Sequence, residues 1–397
     1  MNDIIKEVPL WSITTWDKKF NGVEREWQPK TIKYKYLLSD ELDQLKVDGG
    51  NIRLLYTGKD VGFTTEELAG DCISEGEIVS IPWGGIPTVK YHRGKFVTGD
   101  NRIMTSNNPN EVSNKYLYYF MKGHIKEIAS YYRGASLKHP SMRDVLKMVV
   151  SYPNIDRQES IIKQLDLIEG IIDIRQKELL LFDDLIKARF VEMFGDMLLN
   201  PMEWSEVKLE TVADIVSGIT KGRKIKEQNL FEVPYMAVSN VKDGYIDWTT
   251  IKTIMATKQE IDQYCLEPND VLMTEGGDPD KLGRGAIIKS PLENSIHQNH
   301  IFRVRLESDQ LLPVFFAEYL QHPKAKRYFL SCAKQTTGIA SINMKQLRVL
   351  PVLVPPLKLQ NQFADFVAQV DKSKFEVQKA LEETQILMDS LMQEYFG

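Results

Sequence analysis

Two stretches of this chain end alike: RFVEMFG at residues 189–195 and MQEYFG at residues 392–397. When residues 151–195 are set against residues 353–397 without a gap, a shift of 202 residues, further identities appear. They are Pro153 with Pro355, Gln158 with Gln360, Gln176 and Lys177 with Gln378 and Lys379, Leu179 with Leu381, Leu185 with Leu387, Glu192 with Glu394, and Phe194 and Gly195 with Phe396 and Gly397. A fixed shift over this length indicates an internal repeat, so we expect a module of about 200 residues that occurs twice and is complete where the chain ends.

Both copies of this segment show the apolar spacing of a long helix. Hydrophobic residues recur at alternating steps of three and four over about four heptads, as in the seam of a coiled coil. The residues expected to pair the helices are Leu165, Ile168, Ile172, Leu179, Phe182, Ile186, Val367, Val370, Val377, Leu381, Met388 and Leu391. Because a lone seam would stay exposed to water, the sequence predicts two helices of roughly 37 residues, about 55 Å long, that pair in an antiparallel arrangement.

Polar residues interrupt both predicted seams. Arg175 and Arg189 stand in the first, and Lys374 and Thr384 stand in the second. Polar residues at such positions cost stability and can define the register of the pair. At the start of the first helix, Asp156 and Glu159 have the spacing of an N-terminal capping box, so we expect the helix to begin there.

The segments that precede each helix repeat more faintly. CISEGEIVS at residues 72–80 aligns with CLEPNDVLM at residues 265–273, and the same shift places Gly84 opposite Gly277. Both copies indicate a turn, a short buried strand and a glycine loop. The sequence therefore predicts α/β (α+β) globular domains in two copies, separated by two long antiparallel coiled-coil helices and related by a pseudo-twofold axis. The predicted segments are a first globular domain at 1–152, a first helix at 153–197, a second globular domain at 198–352 and a second helix at 353–397.

Composition favours a multi-domain protein of the cytoplasm. With 397 residues, 43% of them hydrophobic, the chain suits two or three domains. No run approaches 18 apolar residues, so no membrane helix is expected, and the first residues lack the regions of a signal peptide. Three separated cysteines, Cys72, Cys265 and Cys332, argue against a disulfide framework or a zinc site and fit a reducing cytosol.

The net charge of −5, taken alone, speaks against a nucleic-acid-binding protein. Its distribution changes that conclusion. Residues 151–200 carry 6 Lys+Arg and 10 Asp+Glu, and residues 353–397 carry 4 and 7. The acidity therefore lies in the two predicted helices, while the globular segments are neutral to slightly basic.

Sequence motifs of catalysis are missing. The chain has no GxxxxGK[ST], HExxH or GxSxG motif, and no Asp/Asn-Pro-Pro-aromatic motif of the kind that amino-methyltransferases use. GGDPDKLGRG at residues 276–285 predicts a tight loop after a strand rather than a phosphate cradle. His92, His297 and His300 are scattered, and surface or loop roles explain them better than catalytic ones. The motif search thus yields no candidate for a catalytic residue or a metal ligand.

Basic residues gather with aromatic and amide side chains in predicted loops. The clusters are KTIKYKY at 30–36, KYHRGK at 90–95, KGRKIK at 221–226 and HQNHIFRVR at 297–305. Lys and Arg neutralise DNA phosphates, and Asn, Gln and Arg can bond base edges. The candidate contacts to double-stranded DNA are Lys33, Tyr34, Lys35, Tyr91, His92, Arg93, Lys95, Lys221, Arg223, Lys224, Lys226, Gln298 and Asn299. An ordinary solvated face explains any single cluster equally well, and Arg303 and Arg305 also fit the polar side of a strand.

Together these features resemble the specificity (S) subunit of type I restriction–modification enzymes. The resemblance covers the whole chain. It rests on the order globule–helix–globule–helix, on the Phe-Gly helix ends, and on IASIN at 339–343 followed by LPVLVPPLKLQ at 350–360. SYPNIDRQ at 151–158 is a weaker first copy of that segment. The resemblance implies that the globules are target recognition domains, each for one half of a split DNA sequence, and that the helices are conserved spacers that dock two modification (methyltransferase) subunits.

The same resemblance implies that this chain is no enzyme by itself and binds no cofactor. S-adenosylmethionine would belong to the modification subunits, which methylate adenine after base flipping, and ATP with Mg²⁺ to the restriction (translocase/nuclease) subunits. Because the two globules differ in length and in basic clusters, we expect an asymmetric target. Further candidate DNA contacts are Ser136 and Lys138 in the first copy and Ser341, Asn343 and Lys345 in the second.

Two other interpretations stay open. A restriction nuclease with fused recognition domains would need a carboxylate cluster for Mg²⁺, and Mg²⁺-dependent nicking by the chain alone would favour it. A coiled-coil scaffold would bind only proteins, and salt-sensitive, sequence-specific DNA binding would exclude it.

Overall fold

The computed structural model describes residues 5–17, 27–135, 137–224, 229–278, 281–307, 309–336 and 339–397. The chain divides into two compact units, Met1–Gln176 with Lys379–Gly397, and Lys177–Gln378. Both boundaries fall inside the long helices, so each unit contains one half of each helix. The four segments predicted from the sequence follow one another along the chain, whereas these two units cut across the helices. The limits of the four segments therefore stay a prediction.

The first unit contains ten of the described strands and begins the first long helix. The strands are β1 (Lys6–Pro9), β2 (Thr14–Trp16), β3 (Ile52–Leu55), β4 (Phe63–Thr64), β5 (Ser74–Pro82), β6 (Lys90–Thr98), β7 (Asn101–Ser106), β8 (Tyr132–Arg133), β9 (His139–Pro140) and β10 (Val149–Tyr152). The helices are α1 (Leu10–Ile13), α2 (Ser39–Leu45), α3 (Glu66–Ala69), α4 (Asn114–Gly123), α5 (Ile125–Ser130), α6 (Met142–Lys147) and α7 (Ile155–Phe194), which continues into the second unit.

The second unit contains the remaining described strands and the start of the second long helix. The strands are β11 (Ser205–Lys208), β12 (Ala213–Ser217), β13 (Phe231–Met236), β14 (Lys252–Ala256), β15 (Val271–Thr274), β16 (Gly276–Gly277), β17 (Gly285–Ile287), β18 (Ile296–His297), β19 (Ile301–Leu306), β20 (Lys334–Thr336), β21 (Ile339–Ser341) and β22 (Pro351–Val354). The helices are α8 (Lys258–Tyr264), α9 (Pro313–Gln321), α10 (Pro323–Cys332), α11 (Met344–Arg348) and α12 (Leu357–Phe396), which ends in the first unit.

The main sheets of the two units share a strand order. The first unit has six strands in the order β2-β7-β5-β6-β3-β4, and the second has four in the order β12-β19-β15-β17. The first four strands of the larger sheet correspond in chain order and in neighbours to the four of the smaller. Each unit also has an antiparallel strand pair that precedes its long helix, β1 with β10 and β11 with β22. This mixed α/β architecture, present twice, confirms the predicted fold class at that level.

The hydrophobic cores explain why the long helices are held against the sheets. In the first unit, Leu165 of α7 and Phe396 of α12 pack in one buried cluster with Tyr116 of α4. In the second unit, Phe194 of α7 and Phe363 of α12 do the same, with ring centroids 5.6 Å apart. The Phe-Gly ends of both helices are therefore apolar ends inserted into cores, and such burial of an aromatic side chain contributes on the order of 2–3 kcal/mol.

The start of α7 differs from the sequence prediction. The helix begins at Ile155, and the side chain of Asn154 accepts a hydrogen bond from the Arg157 backbone N–H at 2.9 Å. The expected capping box of Asp156 and Glu159 is therefore wrong, because Asn154, two residues before Asp156, already caps the helix. After the last turn, Gly195 adopts a φ of +76°, the left-handed conformation that commonly ends a helix.

Within each unit, the halves of α7 and α12 run antiparallel. In the first unit, Tyr395 donates a hydrogen bond to Gln164 at 2.6 Å, while Arg175 bonds Thr384. Thus a higher residue number on one helix meets a lower one on the other. In the second unit, Asp183 pairs with Lys374 at 2.5 Å and the rings of Phe190 and Phe363 lie 5.4 Å apart, again in opposite order. The polar residues Arg175, Lys374 and Thr384 that interrupt the predicted seams thus have partners across the pair. The fourth, Arg189, lies with its guanidinium 5.7 Å from the ring centroid of Phe366 on α12.

All of the predicted pairing residues are at least partly buried. Leu165, Ile168, Ile172, Val370 and Met388 are buried. Those that are half-buried are Leu179, Phe182, Ile186, Val367, Val377, Leu381 and Leu391. No helix within the described residues is long and apolar enough to cross a membrane.

A buried glutamine locks the first turn of α7. Gln158 has no exposed surface, and its Oε1 accepts a hydrogen bond from the Ser113 N–H at 3.1 Å. Its Nε2 donates to the carbonyl oxygens of Glu111 and Pro153 at 2.8 and 2.9 Å. All hydrogen-bonding groups of this amide are thereby used on backbone atoms, as a buried polar side chain requires.

Gln360 does the same for α12. It is fully buried, its Oε1 accepts from the Leu312 N–H at 2.8 Å, and its Nε2 donates to the carbonyl oxygens of Gln310 and Pro355, both at 2.8 Å. The match extends to the residues bonded, since Ser113 and Leu312 are the residues immediately before α4 and α9. These bonds give a residue-by-residue equivalence between the two copies.

Candidate nucleic-acid interface

In the second unit, the loop that carries Lys221 and Lys224 is joined to the loop that carries Gln298 and Asn299. The Ile219 N–H donates to the His297 carbonyl at 2.9 Å, and the Asn299 N–H donates back to the Ile219 carbonyl at 3.0 Å. The hydroxyl of Ser217 also donates to the Asn299 carbonyl at 2.6 Å. The structure therefore brings together two of the clusters that the sequence predicts for DNA binding.

Glu275 links these loops to the one before α11. Its N–H donates to the carbonyl of His300 at 3.0 Å, and its Oε2 lies 2.5 Å from His300 Nδ1. Its carbonyl accepts from the Ile342 N–H at 2.9 Å, and Gly276 pairs with Ser341. The predicted residues Ser341 and Asn343 are thus connected through residues 275–276 to the loop of Asn299.

Two predicted residues in this region already make hydrogen bonds within the unit. Arg223 donates two hydrogen bonds to Glu260, both at 2.5 Å, and another to the Met255 carbonyl at 3.1 Å, so it clamps its loop to α8. Asn343 accepts from the Gln346 N–H at 3.0 Å and caps α11. These two side chains hold the loops in place, which is a positioning role.

Three predicted lysines remain accessible in the second unit. Lys221, Lys224 and Lys345 are exposed. None of them makes an ion pair with a residue that the structure describes. Gln298 is half-buried and accepts a weak hydrogen bond from the Val238 N–H at 3.3 Å, which leaves its amide nitrogen free to donate. Lys226 lies outside the described residues.

The arginines of β19 stabilise the sheet. Arg303 is 5% exposed and pairs with Asp214 at 2.5 Å. Arg305 bonds the fully buried Asp270 twice, at 2.7 and 2.9 Å, and this hydrogen bonding raises the pKa of the guanidinium. They are therefore the polar side of a strand, which is the alternative that the sequence left open for them.

In the first unit, the clusters at 30–36 and 90–95 lie side by side. Tyr34 packs on Phe96 with ring centroids 5.6 Å apart, and burial raises the pKa of Tyr34 to about 12. Tyr91 donates to Glu77 at 2.6 Å, and burial raises the pKa of its hydroxyl. His92 is half-buried against Phe96, and burial lowers the pKa of its imidazole. The 90–95 cluster, which the sequence predicted as a loop, lies in strand β6, so Tyr91 and His92 point to opposite faces of the sheet.

Two cations of these clusters are engaged by carboxylates. Lys35 pairs with Asp71 at 2.8 Å, and Lys95 pairs with Glu66. Both pairs are solvent-exposed, and such pairs are weak enough to be exchanged for phosphate contacts. Lys33 and Arg93 are exposed and have no ion pair among the residues that the structure describes.

The third predicted cluster of the first unit lies at another place. The loop of Lys138 packs on the loop after β5, where His139 Nδ1 lies 2.7 Å from the Trp83 carbonyl and the two rings are 5.0 Å apart. Trp83 in turn stacks under the Arg102 guanidinium at 3.8 Å. Lys138 is exposed, and Ser136 lies outside the described residues. No hydrogen bond in the described part of the chain joins Lys138 to the 90–95 cluster.

Sequence reasoning missed the loop between β5 and β6 as a candidate. Its tip holds Ile86, which is 82% exposed, the highest value among the large exposed hydrophobic residues. The signal was present: Gly84-Gly85-Ile86-Pro87 matches Gly276-Gly277-Asp278-Pro279, one residue off from the alignment that equates Gly84 with Gly277. In both copies one residue separates the glycine pair from the end of its strand, β5 or β15. The first pair packs beside the loop of Lys138, and Gly276 and Gly277 pair with β21.

Metal chemistry finds no support in the described residues. They contain no group of three or more His, Cys, Asp or Glu side chains arranged to hold a metal ion. His297 is fully buried, and burial lowers its pKa to about 4, which keeps the imidazole neutral in the interior. The arrangement is suited to contacting a polyanion through loops.

A family model described as the type I restriction modification DNA specificity domain matches this chain twice. The matched residues are 39–180 and 201–386, one stretch in each copy of the repeat. Together they cover most of the chain.

Specificity subunits of type I restriction enzymes are similar to this chain in sequence. The EcoKI subunit of Escherichia coli strain K12 is 27% identical over 169 residues, which cover 41% of this chain and 36% of the relative. The StySPI subunit of Salmonella potsdam is 22% identical over 306 residues, which cover 72% of this chain and 65% of the relative. The chain thus aligns with about a third to two thirds of the length of these relatives.

A solved structure shares the fold. The S subunit of the type I restriction–modification system from M. genitalium superposes with a TM-score of 0.57 at 16% identity. The superposition covers 100% of this chain and 97% of that chain.

Proposed function

The chain belongs to the family of type I restriction–modification DNA specificity domains, and on this premise we propose that it selects the DNA target of a type I restriction–modification complex. Each unit contacts one half of a split double-stranded target. The two halves differ in sequence, because the loops of the two units differ in their exposed side chains.

The observation that carries this proposal is the double occurrence of the matched domain, each time with the same arrangement of loops. In the first unit, the glycine loop after β5 packs on the loop of Lys138. In the second, Gly276 and Gly277 pair with β21, next to Lys345. A rigid sheet that presents paired loops is a common way to place DNA-contacting side chains.

The charges of these loops support contact with a duplex. Exposed lysines without ion pairs neutralise phosphates, and amides such as those of Gln298 and Asn299 can bond base edges. Each good base contact supplies roughly 1–3 kcal/mol of discrimination, so a few contacts per unit are enough for one half-site.

In this proposal the two long helices form an antiparallel coiled coil that relates the copies by a pseudo-twofold axis and sets the unread gap of the target. The antiparallel contacts of Arg175 with Thr384 and of Asp183 with Lys374 support that arrangement. The acidic helices dock two modification subunits. The chain itself has no catalytic role: S-adenosylmethionine belongs to the modification subunits and ATP with Mg²⁺ to restriction subunits, all acting on DNA in the cytoplasm.

The test is a map of adenine methylation by single-molecule sequencing. The chain is co-expressed with the modification subunit encoded beside it, in a host without methylation of its own. We expect one split, asymmetric motif with a fixed gap. The matched control expresses the modification subunit alone and should show no motif.

An assembled complex that binds S-adenosylmethionine and yet methylates no motif would contradict the proposal. A palindromic motif would contradict the part that assigns different half-sites to the two units.

A further inference from the structure

A cleft of about 760 Å³ opens in the second unit. It lies between α9, the unit's halves of the two long helices and the loop of residues 243–248. Apolar side chains such as Ile186 and Val367 line one side, and Tyr245 and Trp248, which are 61% and 39% exposed, line another. A concave site of this size with a few polar groups has the form of a binding site.

Most charges in the cleft are already paired. Asp183 pairs with Lys374, Asp371 with Lys289, and Asp243 with Lys326 outside the cleft. These pairs mean that the cleft offers few free charges to a partner.

Glu318 of α9 is the exception. It is half-buried in the cleft, and it makes no hydrogen bond or ion pair with any residue that the structure describes. Burial raises the pKa of its carboxyl to about 7, against an opposing effect of Lys187. A carboxyl group in such surroundings gains stability when a cation approaches it.

In the first unit, the position that corresponds to the cleft is filled by side chains. The bonds of Gln158 and Gln360 equate Ser113 with Leu312, so that α4 and α9 align at a shift of 199 residues. At this shift, four cleft residues align in sequence with four polar residues of the first unit. The pairs are Val314 with Lys115, Ala317 with Tyr118, Glu318 with Tyr119, and Gln321 with Lys122.

In the first unit those four side chains fill the space against α7. Tyr119 donates to Asp166 at 2.6 Å and to Glu169 at 2.8 Å. Tyr118 and Lys122 also bond Glu169, at 2.8 and 2.5 Å. The tyrosine hydroxyls and the lysine ammonium groups thereby satisfy two carboxylates of the long helix.

In the second unit the filling side chains are missing and the acidic character remains. Alanine replaces Tyr118, and the counterpart of Asp166 is Ala368. Glu318 stands in the aligned position of Tyr119. The cleft therefore corresponds to a position that tyrosines and lysines fill in the first unit, and it is lined by the unpaired carboxyl of Glu318.

We propose that this cleft receives a Lys or Arg side chain, with an adjoining aromatic residue, from the modification subunit. The cation binds Glu318, and the apolar stem and the aromatic ring lie against Tyr245, Trp248 and Ala317, as Lys122 and Tyr118 lie in the first unit. Phe375, which is 67% exposed, directly follows the cleft residue Lys374 on α12. This surface fits a protein partner better than a small ligand.

The inference rests on the proposed function, since it names the docking site of that complex. The second unit has the cleft, and in the first unit the corresponding position is filled. The inference therefore also implies that the two modification subunits bind with unequal affinity.

The test measures the affinity of the purified modification subunit for the full chain by mass photometry and by calorimetry. Glu318→Lys should weaken the tighter of two binding steps at least tenfold. Ala317→Tyr, which restores a first-copy side chain, should do the same without a change of charge. The matched control, Glu293→Lys, reverses an exposed carboxyl of the second unit outside the cleft and should leave both steps unchanged.

A photoreactive phenylalanine at the exposed position of Tyr245 supplies a second measurement that does not depend on destabilising changes. We expect a crosslink to a segment of the modification subunit that contains Lys or Arg beside an aromatic residue. Unchanged affinity in Glu318→Lys, or a subunit that binds without crosslinking, overturns the inference.

The outcomes also separate the inference from the proposed function. Normal assembly through the cleft with no methylation motif contradicts DNA selection alone. A split motif with affinity that is indifferent to Glu318 contradicts the cleft alone. A chain that binds no modification subunit contradicts both.

Discussion

Gln158 and Gln360 stand 202 positions apart and make the same three hydrogen bonds, each within its own unit. Each accepts from the N–H that precedes a core helix and donates to two backbone carbonyls. The first turn of each long helix is thereby bonded to the globule that it leaves. The pair shows that the internal repeat of the sequence is also a repeat of side-chain chemistry.

We predict that Gln158→Leu loosens the first unit locally. Three backbone groups would lose buried partners, at ~1–3 kcal/mol each, so we expect a loss of about 3 kcal/mol or more. Hydrogen exchange measured by mass spectrometry should show roughly 100-fold less protection at residues 113–117, from the conversion of about 1.4 kcal/mol per factor of ten. Gln360→Leu should affect residues 312–316 instead.

The control is Gln176→Leu, an exposed position on α7. It should leave protection unchanged in both segments. Equal protection in wild type and Gln158→Leu would show that the hydrogen bonds are dispensable.

Exposed lysines of the loop after β12 should contact phosphates. Lys221→Ala with Lys224→Ala is expected to weaken binding to all DNA sequences and to make the slope of log K against log salt shallower by about 1.8. Arg223 is kept, because its bonds to Glu260 hold the loop and its removal would confuse contact with structure. Fluorescence anisotropy at several salt concentrations measures the slope, on the complex with its modification subunit.

Lys208→Ala with Lys358→Ala removes two exposed lysines of the same unit that lie outside these loops. This double variant should keep the wild-type slope. If the two double variants cannot be distinguished, the loop does not contact phosphate.

Ile86 should contact the first half-site. Its side chain is 82% exposed at the tip of a glycine loop, where an apolar group can meet a thymine methyl or wedge between base steps. Ile86→Asp places a negative charge against DNA, so we expect at least a tenfold loss of affinity, equivalent to about 1.4 kcal/mol. In the methylation map, only one half of the split motif should become degenerate.

Val149→Asp is the comparison for that experiment, since Val149 is 57% exposed on β10, outside the loops. It should leave the motif intact. Degeneracy in both halves, or in neither, would argue against this placement of Ile86.

Acid should destabilise the second unit through His297. Its pKa is lowered by burial from 6.5 to about 4, so the folded state keeps the imidazole neutral while the unfolded state can protonate it. The stability from this histidine is complete above pH 6.5 and falls as the pH drops from 6.5 toward 4, by up to about 3 kcal/mol. Calorimetric unfolding at pH 7 and pH 5 should show a smaller decrease of Tm in His297→Gln than in wild type.

His300→Gln provides the control, because His300 is exposed beside Glu275 and lies three residues away. It should lose as much Tm as wild type between the two pH values. Identical pH dependence in wild type and His297→Gln would mean that the buried imidazole is not the titrating group.

The sequence alone determined the order of the elements and the existence of two copies. Periodic apolar residues such as Leu165 and Val367 specify long helices, since a helix brings positions three and four apart onto one face. The repeated Phe194 and Phe396 marked helix ends that the structure inserts into cores. These features are local or periodic along the chain, so they can be recognised without coordinates.

Only the tertiary structure decided which candidate residues face water. Lys221 and Arg223 are two residues apart, yet one is exposed and the other is bonded to Glu260, 37 residues further along the chain. Asn343, another candidate in the sequence, is exposed and also caps α11, a bond that the basic residues around it do not reveal. The reason is physical: hydrogen-bond partners and burial arise from residues distant in sequence, and a run of basic letters carries no record of which carboxylates the fold will bring beside it.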